Sequence, residues 1–286
     1  PIAWDKPFHE GNADHTCSAY DNCSTPWGST HEEAWRSIRK HDYLSGMYIW
    51  TGFDYIGEPT PYSWPARSSY FGIFDLAEFP KDAYYMYKSQ WTNEDVLHIF
   101  PHWNWQEGDT VDVWAYTNCK EVELFLNGQS KGSKSMGKDD LHLMWRLTYK
   151  PGKLKAVGVT PEGDTLTKQI QTAGAPAQLK LMANRKQIKA DGRDLVYLTV
   201  EVLDDKGVLM PHAHNKIRFD ITGKGKLVGV ANGNQVSHEP FKGNTRSAFN
   251  GKCRAVMQSV NKEGSIRCVV SSPGLASDSV DIIVGN

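Results

Sequence analysis

"GMYIWTGFDYIGEPTPYSWPARSSYFGIFD", Gly46 to Asp75, sets Tyr48, Trp50, Phe53, Tyr55, Tyr62, Trp64, Tyr70 and Phe71 among glycines and prolines, with the carboxylates Asp54 and Glu58 between them. Gly and Pro recur too often here for a single helix. The run Met47–Phe53 is continuously apolar, which predicts a short strand buried on both faces. Upstream, Gly28–Gly46 ("GSTHEEAWRSIRKHDYLSG") predicts a helix. Thr30 and Glu33 have the spacing of a capping box, Ala34, Trp35, Ile38 and Tyr43 roughly follow helical spacing, and Gly46 is suited to end the helix. Downstream, Phe79–Trp91 ("FPKDAYYMYKSQW") predicts a second helix, with Pro80 in its first turn. Helix, buried strand, loop and helix in succession are the grammar of an α/β layer or barrel.

From about Val96 the grammar changes. Thr110–Thr117 ("TVDVWAYT"), Glu121–Gly128 ("EVELFLNG") and Lys153–Thr160 ("KLKAVGVT") alternate apolar with polar residues and are separated by turn pairs such as Asn127-Gly128 and Pro151-Gly152. A small antiparallel sandwich follows from this pattern. After the linker Thr172–Gln178 ("TAGAPAQ"), seven short alternating segments in about a hundred residues predict an immunoglobulin-like sandwich. All ten tryptophans precede residue 146, so the aromatic first half and the Val/Lys/Gly-rich last part differ in kind. The domain boundaries expected from these shifts are 1–93, 94–174 and 175–286.

Composition narrows the partners. The 286 residues carry a formal net charge of −1, and nucleic-acid binding needs a concentrated basic surface, so no nucleic-acid partner is expected. No run of about 18 apolar residues is present, so no helical membrane span is expected. The opening "PIAWDKPFHEGN" has neither an initiator Met nor the basic and apolar regions of a signal peptide, and reads as a piece of something longer. The five cysteines lack zinc-type spacing. A hairpin turning at Asn261–Gly264 would set Cys268 opposite Met257 and Cys253 opposite Ser272, so no disulfide is expected between them. His9, His15 and His31 lie in polar sequence where unliganded histidine is normal. No metal and no cofactor is expected.

"YIWTGFDYIGEPTPY" followed by "SSYFGIFDLAEFPKDAYYMYKSQW" resembles the end of the catalytic barrel of glycoside hydrolase family 2, and within it the β-galactosidases of Bacteroides-type bacteria. "LHIFPHWNWQEGDTVDVWAYTNCKEVELFLNGQSKG" and the final sandwich resemble the accessory domains that follow that barrel. The resemblance implies the C-terminal part of a (β/α)8 TIM barrel followed by two immunoglobulin-like β-sandwich domains. Trp50 then ends the eighth barrel strand, and active sites of such barrels lie at the C-terminal ends of the strands. Its indole becomes the floor for a galactosyl unit, whose C–H-rich face packs on an aromatic ring. Asp54 either accepts sugar hydroxyls at the rim or caps a loop or pairs with Arg67. Glu58 either accepts sugar hydroxyls or serves as a turn residue before Pro59, and Phe71 borders the sugar. Tyr62 and Trp64 either pack the loop or line an outer subsite. "HIFPHWNW" (His98–Trp105) packs the first sandwich onto the barrel, with sugar contact by Trp103 or Trp105 as the alternative.

The two carboxyl groups of a retaining glycosidase stand roughly 5 Å apart. Asp54 and Glu58 are separated by about 13 Å in an extended chain, and in the family both catalytic glutamates come from earlier strands. Glu10 precedes Trp50 by forty residues, but "KPFHEGNADH" lacks the apolar run that should carry a nucleophile. No catalytic residue is therefore expected in this chain, which alone should be inactive. Glucuronide-cleaving members carry Asn-x-Lys before the "GIF" motif. Here Ser69 and Phe71 take those places, which favours a neutral hexose. Resemblance also implies a periplasmic or cell-surface address in a Gram-negative bacterium and a carbohydrate partner, with a homo-oligomer left open. Two rivals stay open: a carbohydrate-binding or adhesin-like tandem sandwich, and a β-mannosidase of the same family.

Overall fold

The computed structural model of the chain describes residues 15–285. The chain forms two compact units, one running to Thr172 and the other starting at Ala173.

The first unit opens with α1 (His31–Arg39), capped as expected: Thr30 Oγ1 accepts from Glu33 N at 3.3 Å and Glu33 Oε2 accepts from Thr30 N at 3.1 Å. The helix stops at Arg39, short of Gly46. His41 N bonds Ile38 O at 3.1 Å and Lys40 N bonds Ser37 O at 3.3 Å, so the last turn tightens to 3₁₀ geometry. Tyr43 beyond it faces solvent. α2 (Asp82–Trp91) begins after Pro80, with Lys81 at its N-cap.

The strand predicted over Met47–Phe53 is not formed. The segment is extended, and Met47 and Ile49 pack on the cluster around Tyr20, Met86 and Trp114, while Tyr48 and Trp50 point outward. A strand needs a hydrogen-bonded neighbour, and among the described residues only Phe53 makes a bridge, to Phe74.

Seven strands complete this unit: β1 (Leu97–Phe100), β2 (Thr110–Thr117), β3 (Glu121–Leu126), β4 (Gln129–Ser135), β5 (Leu143–Thr148), β6 (Lys153–Val159) and β7 (Thr165–Gln171). They make two antiparallel sheets, β1-β2-β5 and β4-β3-β6-β7. The β3–β4 turn is Asn127-Gly128 with φ of +53° and +82°, the mirror-image turn that suits a two-residue hairpin. Along β2, Val111, Val113 and Ala115 enter the sandwich core, while Trp114 and Tyr116 join Tyr20, Met86 and Tyr87 on the other face. That double burial explains the aromatics on the outer face of an otherwise alternating strand. His142 stacks on Trp114 at 3.5 Å and reaches Glu32 of α1 at 2.7 Å. His98 likewise stacks on Tyr85 of α2 at 3.7 Å. Trp103, by contrast, is sealed inside the sandwich against Tyr149, with its Nε1–H donated to Lys150 O. It neither joins the sandwich to the helices nor faces solvent.

The second unit contains β8 (Gln178–Ala183), β9 (Gln187–Ile188), β10 (Leu195–Leu203), β11 (Lys216–Gly223), β12 (Gly225–Ala231), β13 (Thr245–Ser247), β14 (Lys252–Ser259), β15 (Gly264–Ser271) and β16 (Asp278–Val284). All seven predicted segments are strands. They form a sandwich of β12-β14-β10-β8 against β13-β11-β15-β16-β9. Its core is built from Val, Leu, Ile and Ala, together with Phe219 and Met257. β14 and β15 are not the hairpin predicted around Asn261–Gly264, because each pairs within a different sheet. Both strands turn their cysteines, Cys253 and Cys268, into the core, and these are free thiols. Alternation fixed which residues face inward, but it carries no information on which strand lies alongside.

Candidate functional site

The predicted site residues lie on the loop-rich segment between α1 and α2, and backbone pairing sets their directions. Phe74 N donates to Gly52 O at 3.0 Å and Asp54 N to Phe74 O at 2.9 Å, which lays 52–54 beside 72–74. Ser69 N donates to Tyr55 O at 2.8 Å and Gly57 N to Arg67 O at 2.8 Å, closing the loop 58–66 at its base. Gly72 permits the close approach: a Cβ there would meet Asp54 N at 2.3 Å and the Phe53 carbonyl carbon at 2.4 Å. Extended backbone alternates its side chains, so Asp54 and Tyr55 point to opposite sides.

Asp54 was expected at the rim. Its side chain is instead wholly buried, with Lys81 Nζ 2.8 Å from Oδ2 and 2.9 Å from Oδ1, and Gly72 N donating to Oδ1 at 2.9 Å. A carboxylate removed from water needs a cation and hydrogen-bond donors, and this inner side supplies both. The same ammonium donates to Tyr70 O at 3.1 Å. Nearby, Asp75 Oδ1 accepts from Ala77 N and Phe79 N at 2.7 and 3.0 Å, and burial pushes its carboxyl above the usual aspartate range.

The outer side gathers the other three. Trp50 has 73 % of its surface exposed, and the Trp50–Thr51 peptide is cis. Tyr55 donates its hydroxyl proton to Glu58 Oε2. The Trp50 indole N–H lies near the same hydroxyl and acts against that bond, favouring the phenolate. The Glu58 bond is the first reason that the Tyr55 hydroxyl is held above its ordinary pKa. The Tyr55 ring lies 6.5 Å from that of half-buried Phe71, tilted by 52°. Glu58 is exposed at φ +43°, in the left-handed region and directly before Pro59, a conformation that persists only when its surroundings impose it.

Tyr55 thus connects Trp50, Glu58 and Phe71, and sequence reasoning missed it as a site residue. Spacing offered no signal for it, because Trp50 and Glu58 share the parity of Asp54 rather than that of Tyr55. Tyr62 is buried with its hydroxyl on Thr16 O, so it packs the loop. Trp64, two residues on, is 76 % exposed. Trp105 stacks on His102 at 4.6 Å and donates its N–H to His102 O. His31 Nδ1 lies 3.0 Å from Tyr87 Oη, and His15 meets the Tyr62 ring edge-on. His9 and Glu10 lie outside the described residues.

Chemically, the outer cluster offers an exposed aromatic face beside an ionised acceptor. That combination suits a ligand with one apolar face and several hydroxyl groups. Asp54 and Glu58 are not arranged as an acid and nucleophile, since Lys81 neutralises the first on the inner side and Tyr55 engages the second on the outer.

Comparison with known proteins brings two family models and a set of relatives. Residues 179–281 match the model "Glycoside hydrolase family 2 C-terminal domain 5", and residues 108–167 match a domain family of unknown function, DUF4982. "Beta-galactosidase BoGH2A" of Bacteroides ovatus is 51 % identical over 96 % of this chain and 32 % of its own length. A "Putative beta-glucuronidase" of Formosa agariphila is 34 % identical over 85 % of this chain and 24 % of its own length. Among solved structures, a beta-glycosidase from Bacteroides vulgatus superposes with a TM-score of 0.89 at 34 % identity, over 94 % of this chain and 34 % of that one. The chain therefore spans about a third or less of the length of these relatives. On the domain model, the relatives and the superposed structure together, the chain belongs to glycoside hydrolase family 2.

Proposed function

We propose that this chain is the C-terminal portion of a retaining exo-β-galactosidase that releases terminal β-D-galactosyl residues. In this reading, residues up to about 93 complete a (β/α)8 barrel, and Trp50 forms the floor under the galactosyl ring. The observation that carries it is the cluster that sets exposed Trp50, Glu58 and Phe71 around Tyr55. Galactopyranose presents a C–H-rich face to such an indole while its hydroxyls seek acceptors such as the Glu58 carboxylate. Identity of 51 % to a relative named a β-galactosidase supports the choice of sugar.

A neutral sugar is favoured by local charge as well. Ser69 is fully buried with Oγ accepting from Tyr55 N, and Phe71 carries no charge. Lys81 does reach this stretch, at Tyr70 O, but Asp54 already neutralises it, so it does not serve as the counter-ion for a uronic carboxylate.

The nucleophile and the acid/base are supplied by segments outside the described residues, and the chain by itself is inactive. A chromogenic panel tests both statements. The complete gene product is expected to hydrolyse aryl β-galactosides in preference to aryl β-glucuronides and β-mannosides, and the 286-residue chain to hydrolyse none. Preference for another sugar overturns the substrate assignment, and turnover by the isolated chain overturns the placement of the carboxyl groups.

A further inference from the structure

We infer that Asp54 and Lys81 are a positioning pair, which fixes the sugar-facing cluster from beneath without touching the sugar. The inference rests on the reading of Trp50 as a sugar platform.

The geometry runs through two neighbours of the carboxylate. Along the chain, Asp54 precedes Tyr55, whose hydroxyl lies between Trp50 and Glu58. Across the chain, Asp54 Oδ1 takes the N–H of Gly72, the residue after Phe71, while Lys81 holds both carboxylate oxygens and the carbonyl of Tyr70, the residue before Phe71. One ion pair, its carboxylate buried and its ammonium partly exposed, thereby fixes Tyr55 on one segment and Phe71 on the other. Neither strand belongs to a regular sheet among the described residues, since only isolated bridges such as Phe53–Phe74 and Ile56–Ser68 join them. Gly72, where a Cβ would strike backbone, keeps the two strands close enough for the carboxylate to span them.

A buried ion pair adds little net stability once desolvation is counted, so its main effect is to select one geometry. That is what a sugar platform requires, because misplacing a reacting group by about 1 Å costs on the order of a hundredfold in rate. A direct contact role is disfavoured by the same facts: the Asp54 side chain has no exposed surface, and its oxygens already hold three hydrogen bonds.

The test uses Asp54→Asn, Lys81→Met, the double variant and Lys81→Arg, with two readouts. In the ¹⁵N-Trp-labelled 286-residue chain, the Trp50 indole resonance (assigned by its loss in Trp50→Phe) is expected to shift in both single variants and to return towards its wild-type position in Lys81→Arg. In the complete gene product, kcat/KM on an aryl β-galactoside is expected to fall roughly tenfold in each single variant. The double variant should be no worse than the poorer single, because the residues act as one unit. Lys81→Met leaves a buried charge alone, and if it fails to fold, the double variant, neutral at both positions, supplies the same comparison. The inference is overturned if Asp54→Asn lowers activity while Lys81→Met changes neither activity nor the resonance, the pattern of a direct ligand. Should the complete protein cleave no β-galactoside, the functional reading fails and the resonance alone decides: movement supports the positioning pair, and an unmoved indole overturns it.

Discussion

The two compact units differ in what they bury and in what they leave outside. The second is an aliphatic sandwich without a tryptophan, whose core is Val, Leu, Ile and Ala around Phe219 and Met257. The first holds all ten tryptophans, buries Glu32, Asp54 and Asp112 against His142, Lys81 and Arg146, and leaves Trp27, Tyr43, Tyr48, Trp50, Phe53, Trp64 and Trp91 exposed. In the second unit Phe241 is the exposed aromatic of comparable kind among the described residues. Exposed aromatic residues are thus concentrated in the first unit. The contrast separates a unit whose sequence is explained by its own packing from one whose sequence is not.

The largest test of that contrast is Phe219→Ala, in the core of the second unit. Removing a buried phenylalanine ring costs about 3–5 kcal/mol. Because tryptophan fluorescence reports only the first unit, the far-UV circular dichroism transition is expected to move to lower temperature while the fluorescence transition stays. Coincident shifts in both signals would show that the units unfold as one.

Thr30→Ala probes the other side on a smaller scale. Loss of the hydroxyl that caps α1 is expected to cost about 1 kcal/mol. Since Trp35 lies in that helix and meets Trp91, the fluorescence transition should report it. No shift would mean that the helix is held by packing alone.

Acid should divide the units by sign. In the first unit, burial raises the carboxyl pKa values of Asp21 and Asp75 above the model-compound range. Their stability contribution is full below the unfolded aspartate pKa, near 3.9, and is lost as pH rises through the higher folded values. In the second, burial pushes Asp204 up, but N–H bonds from Gly174, Val208 and Lys206 outweigh it and hold the carboxyl low. That contribution is present above the unfolded pKa and lost as pH falls through the folded one. Burial also holds the His31 imidazole low, a contribution lost as pH falls, so in a His31→Asn variant lowering the pH from about 6 to 4 is expected to shift the fluorescence transition upward relative to the circular dichroism transition. Parallel shifts would contradict the assignment of these carboxyls.

The difference between the units also marks what could be read from the sequence. All seven segments of the second sandwich were legible because a strand with one buried face writes its alternation directly into the chain. The pairing was less legible, as the β14–β15 error shows, since strand order is a long-range property. In the first unit the α1 cap was readable because Thr30 and Glu33 are local to each other. Met47–Phe53 was not, because an apolar run looks alike whether it joins a sheet or, as here, lays Met47 and Ile49 on the Tyr20–Met86 cluster and turns Tyr48 and Trp50 outward. Of the candidate residues, Trp50, Glu58 and Phe71 gather around Tyr55, an adjacency that local sequence does not reveal. Asp54 was placed on the wrong side because its partner, Lys81, lies 27 positions away, and Tyr55 was overlooked because its importance lies in what it connects.

The most direct test of the account is Trp50→Ala in the complete gene product, read as kcat/KM on an aryl β-galactoside together with the fluorescence unfolding transition. In the 286-residue chain the ring is largely exposed, so the same substitution there should change stability by no more than about 0.5 kcal/mol. Loss of the platform is expected to lower kcat/KM by about a hundredfold, some 2.7 kcal/mol of transition-state stabilisation. Activity within twofold of wild type, with the fold intact, would contradict the claim that this indole supports the sugar.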